Sequence, residues 1–376
     1  MTRKSSRRNF LKGKSAADSM ADALQKTLPH GGTPAPTGRP SDEAYFLRVS
    51  RRAMACEFEI RFSAGRYEHG TEAALKALDL VDALEEQLSV FREDSEISRI
   101  NRTAAEEPVE VEPDLFELLR LAVRLHGETG GTFDLSAAPL WEVWGFARRA
   151  GAVPEEGVVA EALKLVGSDL VEFDRSNRTV RFLRPGVKLN LGGIGKGYAL
   201  DRCAEVLLGE GIEHFLIHGG NSSVLAHGSP EPESDATPGG PLRGWEVGIR
   251  HPLRPDRRLA EIRLDGRALA TSGSWAQSFV HRGRRYGHIL DPRTGRPAED
   301  VLSATAIAPT ATLADALSTA FYVMGPQATS DFCRQRPEIA AVLVCPVRHS
   351  GGIEIKTAGL AEDDLFRVAP GIARAP

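Results

Sequence analysis

The segment around which the rest of the chain can be placed is Asn190-Leu191-Gly192-Gly193-Ile194-Gly195-Lys196-Gly197-Tyr198. A predicted strand ends here, the glycines let the backbone bend and approach a ligand closely, and a helix is predicted from Gly195. The N-terminal amides of such a helix suit an anion, and Lys196 is positioned to meet a phosphate. The segment is neither a Walker A loop nor a GxGxxG fingerprint, so a plain strand–helix turn remains an equally good interpretation.

Outward from this turn, strands and helices mix without a regular βαβ alternation, which favours an α+β fold over a doubly wound sheet. Apolar residues at helical spacing predict helices at 74–88, 115–129, 195–209 and 314–324. Extended segments are predicted at 49–63, at 179–191 as a strand pair, at 214–227 as a hairpin about residues 219–221, and at 244–250, 258–264, 277–282 and 339–346.

The composition is that of a soluble globular chain. Of 376 residues, 41% are hydrophobic and 26% charged, and the net charge of −4 gives no basic field for nucleic acid. No apolar run reaches eighteen residues, so no transmembrane helix is expected. The four cysteines form no CxxC pair, which argues against a disulfide framework and against a zinc site.

The N-terminal residues 1–43 are predicted to be a tail and linker, followed by a single domain over residues 44–376. Residues 6–12 carry a twin-arginine-like motif, but residues 13–20 are polar where an export signal has an apolar stretch. An atypical export signal and a solvated basic tail therefore both stay open. Residues 228–242, rich in Gly, Pro, Ser and acids, are predicted to be an exposed inserted loop.

Three further segments carry residues suited to chemistry. Asp315 and Thr319 lie four apart on one helix face, and their oxygens suit Mg²⁺. From this segment alone, however, a threonine bonded back to its own helix beside a solvated aspartate is the better explanation. His288 directly precedes a predicted turn at residues 291–295, where an imidazole can meet a ligand. The Gly-rich stretch 130–136 precedes Trp141 and Trp144, an arrangement for packing a flat ring or simply a loop before core aromatics.

In this order the segments resemble the ApbE-type FAD:protein FMN transferases. The resemblance spans about residues 49–325, and it is carried by Met54-Ala55-Cys56, Leu88 to Phe91, Asp94 to Asn101, Thr132 to Asp134, Gly192 to Asp201, Gly219 to Asn221, Thr271 to Gly273, Tyr286 to Gly295 and Asp315 to Thr319. The resemblance implies an α+β fold with antiparallel sheets and packed helices. It implies Mg²⁺-dependent transfer of FMN from FAD to a Thr or Ser of an acceptor protein, with release of AMP.

The resemblance also assigns roles to individual residues. The flavin site would include Met54 and Phe91, the adenine and ribose end of FAD would meet Thr132, Phe133 and Asp134, and the nucleotide would lie near Asn190 and Lys196. The Mg²⁺ ligands would be the Gly193 carbonyl, Asp315 and Thr319, while His288 would sit at the pyrophosphate. Either His288 or Asp315 would take the proton of the attacking hydroxyl.

The chain departs from the family pattern at three places. Asn190 and Asn221 stand where the family commonly has acids, so metal affinity or nucleotide choice is expected to differ. Ala55-Cys56 replaces Gly-Thr and places a thiol near the expected flavin site.

Other functions compatible with these residues are hydrolysis of FAD to FMN and AMP, flavin binding without turnover, and an interaction protein on an inactive scaffold. The resemblance suggests an electron-transport flavoprotein subunit as the acceptor and an extracytoplasmic location. The polar residues after the twin-arginine-like motif leave a cytoplasmic location equally open.

Overall fold

The computed structural model describes residues 45–148, 150–220, 222–230, 244–274, 277–347, 352–360 and 367–368. The predicted tail at 1–43, most of the predicted loop at 228–242 and Asn221 lie outside the described residues. The division of the chain into a tail and one domain therefore stays a prediction. Among the described helices, none is long and apolar enough to cross a membrane.

A single eight-stranded sheet organises the described part of the chain, in the order β1-β2-β6-β7-β10-β15-β16-β17, and every neighbouring pair is antiparallel. Its strands are β1 (Phe46–Ala53), β2 (Cys56–Ser63), β6 (Phe215–Gly219), β7 (Ser223–His227), β10 (Arg267–Ser272), β15 (Ser303–Ala308), β16 (Ala340–Pro346) and β17 (Ile353–Ala358). The smaller sheets contain β3 (Val109–Glu110), β4 (Val171–Asp174), β5 (Thr179–Phe182), β8 (Trp245–His251), β9 (Arg254–Leu264), β11 (Ser278–His281), β12 (Arg284–Gly287), β13 (Leu290–Asp291), β14 (Arg296–Pro297) and β18 (Arg367–Val368).

The helices are α1 (Gly70–Leu88), α2 (Glu96–Thr103), α3 (Pro113–Glu128), α4 (Ala138–Val143), α5 (Glu156–Leu163), α6 (Gly195–Gly209) and α7 (Ala311–Gln335). Both faces of the large sheet are buried, because successive side chains of a strand point to opposite faces. On β16, for example, Leu343 joins the core formed with the helices, while Val342 and Val344 join a second core beneath β8 and β9. This two-sided burial explains why β16 is continuously apolar and why every residue of β15 is buried.

A third, smaller apolar cluster lies between α4, α5 and the β11–β12 hairpin. Its buried members are Leu140, Trp144, Phe146, Val159, Ala162 and Leu290, with Phe279 and Tyr286 packed against them. This cluster carries the segment that contains His288.

The predicted α+β class with antiparallel sheets is confirmed, and so is the hairpin at 214–227, where Gly219 pairs with Ser223. The strand pair predicted at 179–191 is wrong: only β5 is a strand. The Asn101 side chain donates to the Leu189 carbonyl at 2.9 Å and accepts from the Leu189 amide at 2.7 Å, which replaces strand pairing there. The segment at 49–63 is a hairpin, because Met54 and Ala55 adopt φ of 49° and 58° between β1 and β2.

Candidate active site

The carboxylate of Asp315 is the point where three elements meet. It lies on α7 and is only 5% exposed. Its Oδ2 accepts from the Gly197 amide at the start of α6 at 3.0 Å, and its Oδ1 accepts from the Ser223 hydroxyl of β7 at 3.1 Å. The Lys196 ammonium lies 3.6 Å from Oδ1. Asp315 and Lys196, predicted separately from the sequence, therefore belong to one site.

The close approach of α6 to α7 depends on Gly197. A Cβ at this position would lie 2.1 Å from the Ala311 carbonyl oxygen, so only glycine fits. A second carboxylate also joins the two helices. Asp201 of α6 accepts hydrogen bonds from the backbone amides of Ala311 and Thr312 in α7 at 2.7 and 2.8 Å. Because these amides belong to the first turn of α7, Asp201 supplies acceptors that this helix end lacks.

Hydroxyl groups surround the next turn of α7. Ser272 Oγ lies 2.8 Å from Ser318 Oγ and 3.2 Å from Thr319 Oγ1. Thr319 Oγ1 is 3.5 Å from the Asp315 carbonyl, within reach of a weak bond back to its own helix. Gly193 lies beside it, since a Cβ on Gly193 would be 3.4 Å from Thr319 Oγ1. The three predicted metal-binding residues are thus brought together.

The donor set fits a hard cation such as Mg²⁺. It offers one carboxylate with two oxygens, hydroxyl oxygens from Thr319 and Ser272, and the backbone oxygen of Gly193. Mg²⁺ prefers oxygen ligands and retains several waters, so one or two protein carboxylates suffice. Among the residues that the structure describes, no group of three His, Cys, Asp or Glu side chains is placed to hold a metal.

His288 is held in one orientation by the backbone. Its Nδ1 lies 2.9 Å from the Gln277 carbonyl, which can only accept, so Nδ1 carries the hydrogen and Nε2 has a free lone pair. Burial lowers the pKa of His288 and the nearby Lys196 charge lowers it further, against the opposing effect of the Gln277 carbonyl. The imidazole is therefore neutral at neutral pH, the form that accepts a proton.

Aromatic rings enclose His288 and fix the adjoining turn. The rings of Trp141 and Phe146 lie 5.8 and 6.5 Å from the imidazole, both near edge-on. The Trp144 indole donates to the Gly295 carbonyl at 2.8 Å. Gly295 has φ of +69°, and a Cβ there would lie 2.6 Å from a Val159 methyl carbon, so the turn after His288 requires glycine.

The predicted adenine-end residues are buried with their polar groups bonded inside the chain. Thr132 Oγ1 donates to the Thr129 carbonyl at 2.9 Å, and the Phe133 ring would lie 3.3 Å from a Cβ on Gly193. Asp134 Oδ1 accepts from the amide and hydroxyl of Ser136 at 2.8 and 2.7 Å. In this structure the three side chains shape the loop beside Gly193, and their contact with FAD stays a prediction.

Asp134 also forms an ion pair that the sequence did not predict. Its Oδ2 lies 3.0 Å from His126 Nδ1. Burial acts to raise the pKa of Asp134, but the nearby His126 imidazole and the hydrogen bonds from Ser136 outweigh it and the pKa is lowered. The nearby Asp134 carboxylate raises the pKa of His126, against the opposing effect of burial.

Two predicted flavin contacts lie in loops. Met54 occupies the β1–β2 turn, where its amide donates to Glu85 Oε2 at 2.8 Å. Phe91 is 74% exposed, which leaves its ring available to a planar ligand. The Asn190 side chain accepts from the Gly192 amide at 2.8 Å, so it stabilises the glycine-rich turn as an aspartate would, without the charge.

The thiol expected near the flavin site lies close to the charged centre. A Cβ on Gly220 would be 3.3 Å from Cys56 Sγ. Burial raises the pKa of Cys56, and the Asp315 charge raises it too, while Lys196 lowers it. The thiol is therefore protonated and weakly nucleophilic at neutral pH.

Sequence reasoning assigned no role to the residues that support this site: Asp201, Ser223, Ser272, Ser318 and Gln277. Three of them, Asp201, Ser272 and Ser318, lie inside motifs that carry the resemblance, whereas Ser223 and Gln277 do not. Their roles depend on contacts between distant segments, which spacing along the chain does not reveal.

Together these features define a class: an α+β protein in which a lysine, a buried carboxylate and several hydroxyl groups meet, with a neutral histidine near the lysine. The ApbE family model matches residues 54–343. A curated relative from Treponema pallidum, called FAD:protein FMN transferase, is 31% identical over 306 residues, which are 78% of this chain and 84% of that protein.

Solved structures agree with this match. The ApbE protein of Thermotoga maritima is similar with a TM-score of 0.72 and 32% identity, covering 83% of this chain and 97% of that one. The apo form of the Pseudomonas stutzeri flavinyl transferase ApbE has a TM-score of 0.72 and 25% identity, covering 85% and 98%. This chain belongs to the ApbE family. The resemblance seen in the sequence and the prediction of a transferase are confirmed by these matches.

Proposed function

We propose that this protein transfers FMN from FAD to a threonine or serine hydroxyl of an acceptor protein, with Mg²⁺ bound at Asp315 and AMP released. The observation that carries the proposal is the family match over residues 54–343, because it contains every residue of the site from Met54 to Thr319. Curated relatives of this chain are called FAD:protein FMN transferases.

The bond changes in this reaction balance without an oxidant or reductant. The acceptor hydroxyl oxygen forms a bond to the FMN phosphorus, and the bridging bond between that phosphorus and the AMP phosphate oxygen breaks. The hydroxyl proton goes to a base, and AMP leaves with the electrons of the broken bond. A bound Mg²⁺ would neutralise the negative charge that develops on the pyrophosphate oxygens.

The residues of the chain have distinct tasks in this scheme. Asp315, Thr319 and the Gly193 carbonyl would hold the cation, while Ser223 and Gly197 keep the Asp315 carboxylate oriented. Lys196 supplies a positive charge for the pyrophosphate. His288 is the better base: its Nε2 is free of the Gln277 contact, whereas both Asp315 oxygens already accept hydrogen bonds from the chain.

The alternative of FAD hydrolysis differs only in the attacking hydroxyl, which would come from water. The two reactions are separated by incubating the protein with FAD and Mg²⁺, with and without an electron-transport flavoprotein subunit prepared without its covalent flavin. We expect AMP release to depend on the acceptor and to match acceptor modification. Equal AMP release with and without the acceptor, and an unmodified acceptor, would favour hydrolysis.

If the protein only binds flavin and does not catalyse a reaction, a third outcome is expected: FAD is bound and no AMP is released under either condition. Asn190 and Asn221 favour it, since both lack the charge of an acid, and Asn221 lies outside the described residues. The Asn190 amide oxygen makes the turn-stabilising contact to Gly192, so the neutral side chain is compatible with an ordered site.

A further inference from the structure

A cleft of about 670 Å³ opens beside the segment that follows His288, and neither the family resemblance nor the scheme above gives it a role. Its walls come from α5 and the residues just before it, from Trp144 after α4, from strand β12, from the segment 291–300 and from α7 at Tyr322 and Val323. Among the described residues, the ones predicted to hold FAD or Mg²⁺ do not line it. The cleft is therefore a separate surface bordering the transfer site.

A series of ring contacts connects the cleft to His288. Trp144 and Tyr286 both line it, with ring centroids 5.7 Å apart. Tyr286 stacks on Phe279 at 5.3 Å, Phe279 lies 5.5 Å from Phe146, and Phe146 lies 6.5 Å from His288. A molecule seated in the cleft would thus contact the same aromatic cluster that orients the proposed base.

The metal side of the site borders the cleft as well. Tyr322 follows Thr319 by three residues on α7, so the two side chains lie on neighbouring turns of one helix face. The Tyr322 hydroxyl donates to Ser274 Oγ at 2.8 Å, in the loop that follows Ser272. One cleft wall therefore belongs to the helix that carries Asp315.

The lining combines apolar and charged side chains. Val153 is 38% exposed although it is large and apolar, and the partly exposed Tyr286 ring lies against the buried Trp144. Two charged pairs also line the cleft: Arg284 with Glu299 at 2.7 Å, and Arg296 with Glu156 at 2.8 Å. Exposed apolar side chains among charged ones suit the recognition of a protein segment.

We propose that this cleft binds the segment of the acceptor protein next to its target hydroxyl, as an extended stretch with an apolar side chain packed against Val153 and Tyr286. The inference rests on the proposed function, since it names where the acceptor of that reaction docks. The size favours a few residues of polypeptide, and the position lets the flanking segment lie in the cleft while the hydroxyl reaches the phosphorus near His288.

The test uses two matched pairs of variants. Ala160 lines the cleft and is exposed on α5, whereas Val158 lies on the same helix, is 45% exposed and does not line the cleft. Ala160→Trp fills the cleft, and Val158→Trp is its control. Val153→Glu places a charge on the apolar wall, with Val158→Glu as control. The thermal midpoint of each variant shows that it is folded.

Binding of the flavin-free acceptor subunit is measured directly, apart from catalysis, and FAD binding is followed by flavin fluorescence. We expect Ala160→Trp and Val153→Glu to raise the Kd for the acceptor about tenfold or more, with FAD affinity unchanged and both controls like the wild type. A folded Ala160→Trp variant with wild-type acceptor affinity would overturn the inference, as would a wild-type protein that does not bind the acceptor.

The remaining outcomes separate the docking site from the reaction. If Ala160→Trp weakens FAD binding and leaves acceptor binding intact, the cleft belongs to FAD and the inference is wrong. If the wild type binds the acceptor through the cleft but transfers no FMN to it, the docking surface stands and the proposed function fails.

Discussion

The Asp315 carboxylate accepts a hydrogen bond from the Gly197 amide 3.0 Å away, and this contact joins the middle of the site to the first turn of α6. A second contact runs in the opposite direction: amides in the first turn of α7 donate to the Asp201 carboxylate of α6. It holds the same two helices together. The geometry of the proposed metal site therefore depends on how closely the two helices approach each other.

Substitution of Gly197 by alanine should separate the helices. The added Cβ would lie 2.1 Å from the Ala311 carbonyl oxygen, so we expect the free energy of unfolding to fall by at least about 2 kcal/mol. Chemical denaturation measures the loss. The control is Gly209→Ala on the same helix, where a Cβ meets nothing within 4 Å and alanine should be neutral or stabilising. Equal stability of the two variants would contradict this reading of the helix contact.

Asp201→Ala should act on the metal site from a distance. It removes the acceptors for the Ala311 and Thr312 amides, at a cost of about 1 to 2 kcal/mol in the free energy of unfolding. Because α7 carries Asp315, we also expect weaker binding of Mn²⁺, a substitute for Mg²⁺ that electron paramagnetic resonance detects. Glu205→Ala, an exposed substitution on the same helix, is the control. Unchanged Mn²⁺ affinity in a folded Asp201→Ala protein would limit Asp201 to a structural role.

The pH dependence of transfer should report His288. Its pKa is lowered from the ordinary 6.5 by burial and by Lys196, so the neutral, proton-accepting form predominates at neutral pH. The rate is expected to stay level above neutral pH and to fall on acidification, with an apparent pKa below 6.5. His288→Ala should remove this acid limb and most of the rate. A variant that keeps the full rate would exclude His288 as the base.

The His126–Asp134 pair should make stability depend on pH. The raised pKa of His126 means that its contribution is fully present below the ordinary 6.5 and is lost as pH rises through the folded value. The lowered pKa of Asp134 means that its contribution is present above the ordinary 3.8 and is lost as pH falls through the folded value. The pair is therefore strongest between these two limits.

We expect His126→Gln to lower the free energy of unfolding by about 1 to 2 kcal/mol near pH 6 and by less near pH 9. Denaturant titrations at both pH values measure the difference. The exposed His281→Gln variant should show no such dependence. The same loss at both pH values would mean that His126 contributes packing and not an ion pair.

The sequence predicts elements of the fold that have local signals and misses those that depend on contacts between distant segments. Helix α6 begins at Gly195 as predicted, since the glycine-rich turn and the apolar spacing that follows are local signals. The strand predicted into Leu191 fails, because Asn101, distant along the chain, takes both backbone groups of Leu189. Nor does the sequence predict the turn at Met54, which places two side-chain-bearing residues at positive φ.

The site shows the same division. Asp315 and Thr319 share one helix face, which the i, i+4 spacing predicts. Their contacts with Ser223 and Ser272 come from β7 and β10, and they arise only when the sheet is assembled. The inward orientation of Asp134, paired with His126, also depends on tertiary packing and has no local signature.

FMN transfer is tested most directly by the intact mass of the acceptor subunit after incubation with FAD, Mg²⁺ and the protein. We expect the acceptor to gain one FMN, less one water, on a threonine or serine, and one AMP to be released for each. The gain should be absent with Asp315→Ala and retained with Asp331→Ala, a substitution farther along α7. An acceptor modified equally by the wild type and Asp315→Ala would contradict the account, as would an acceptor of unchanged mass with the wild type.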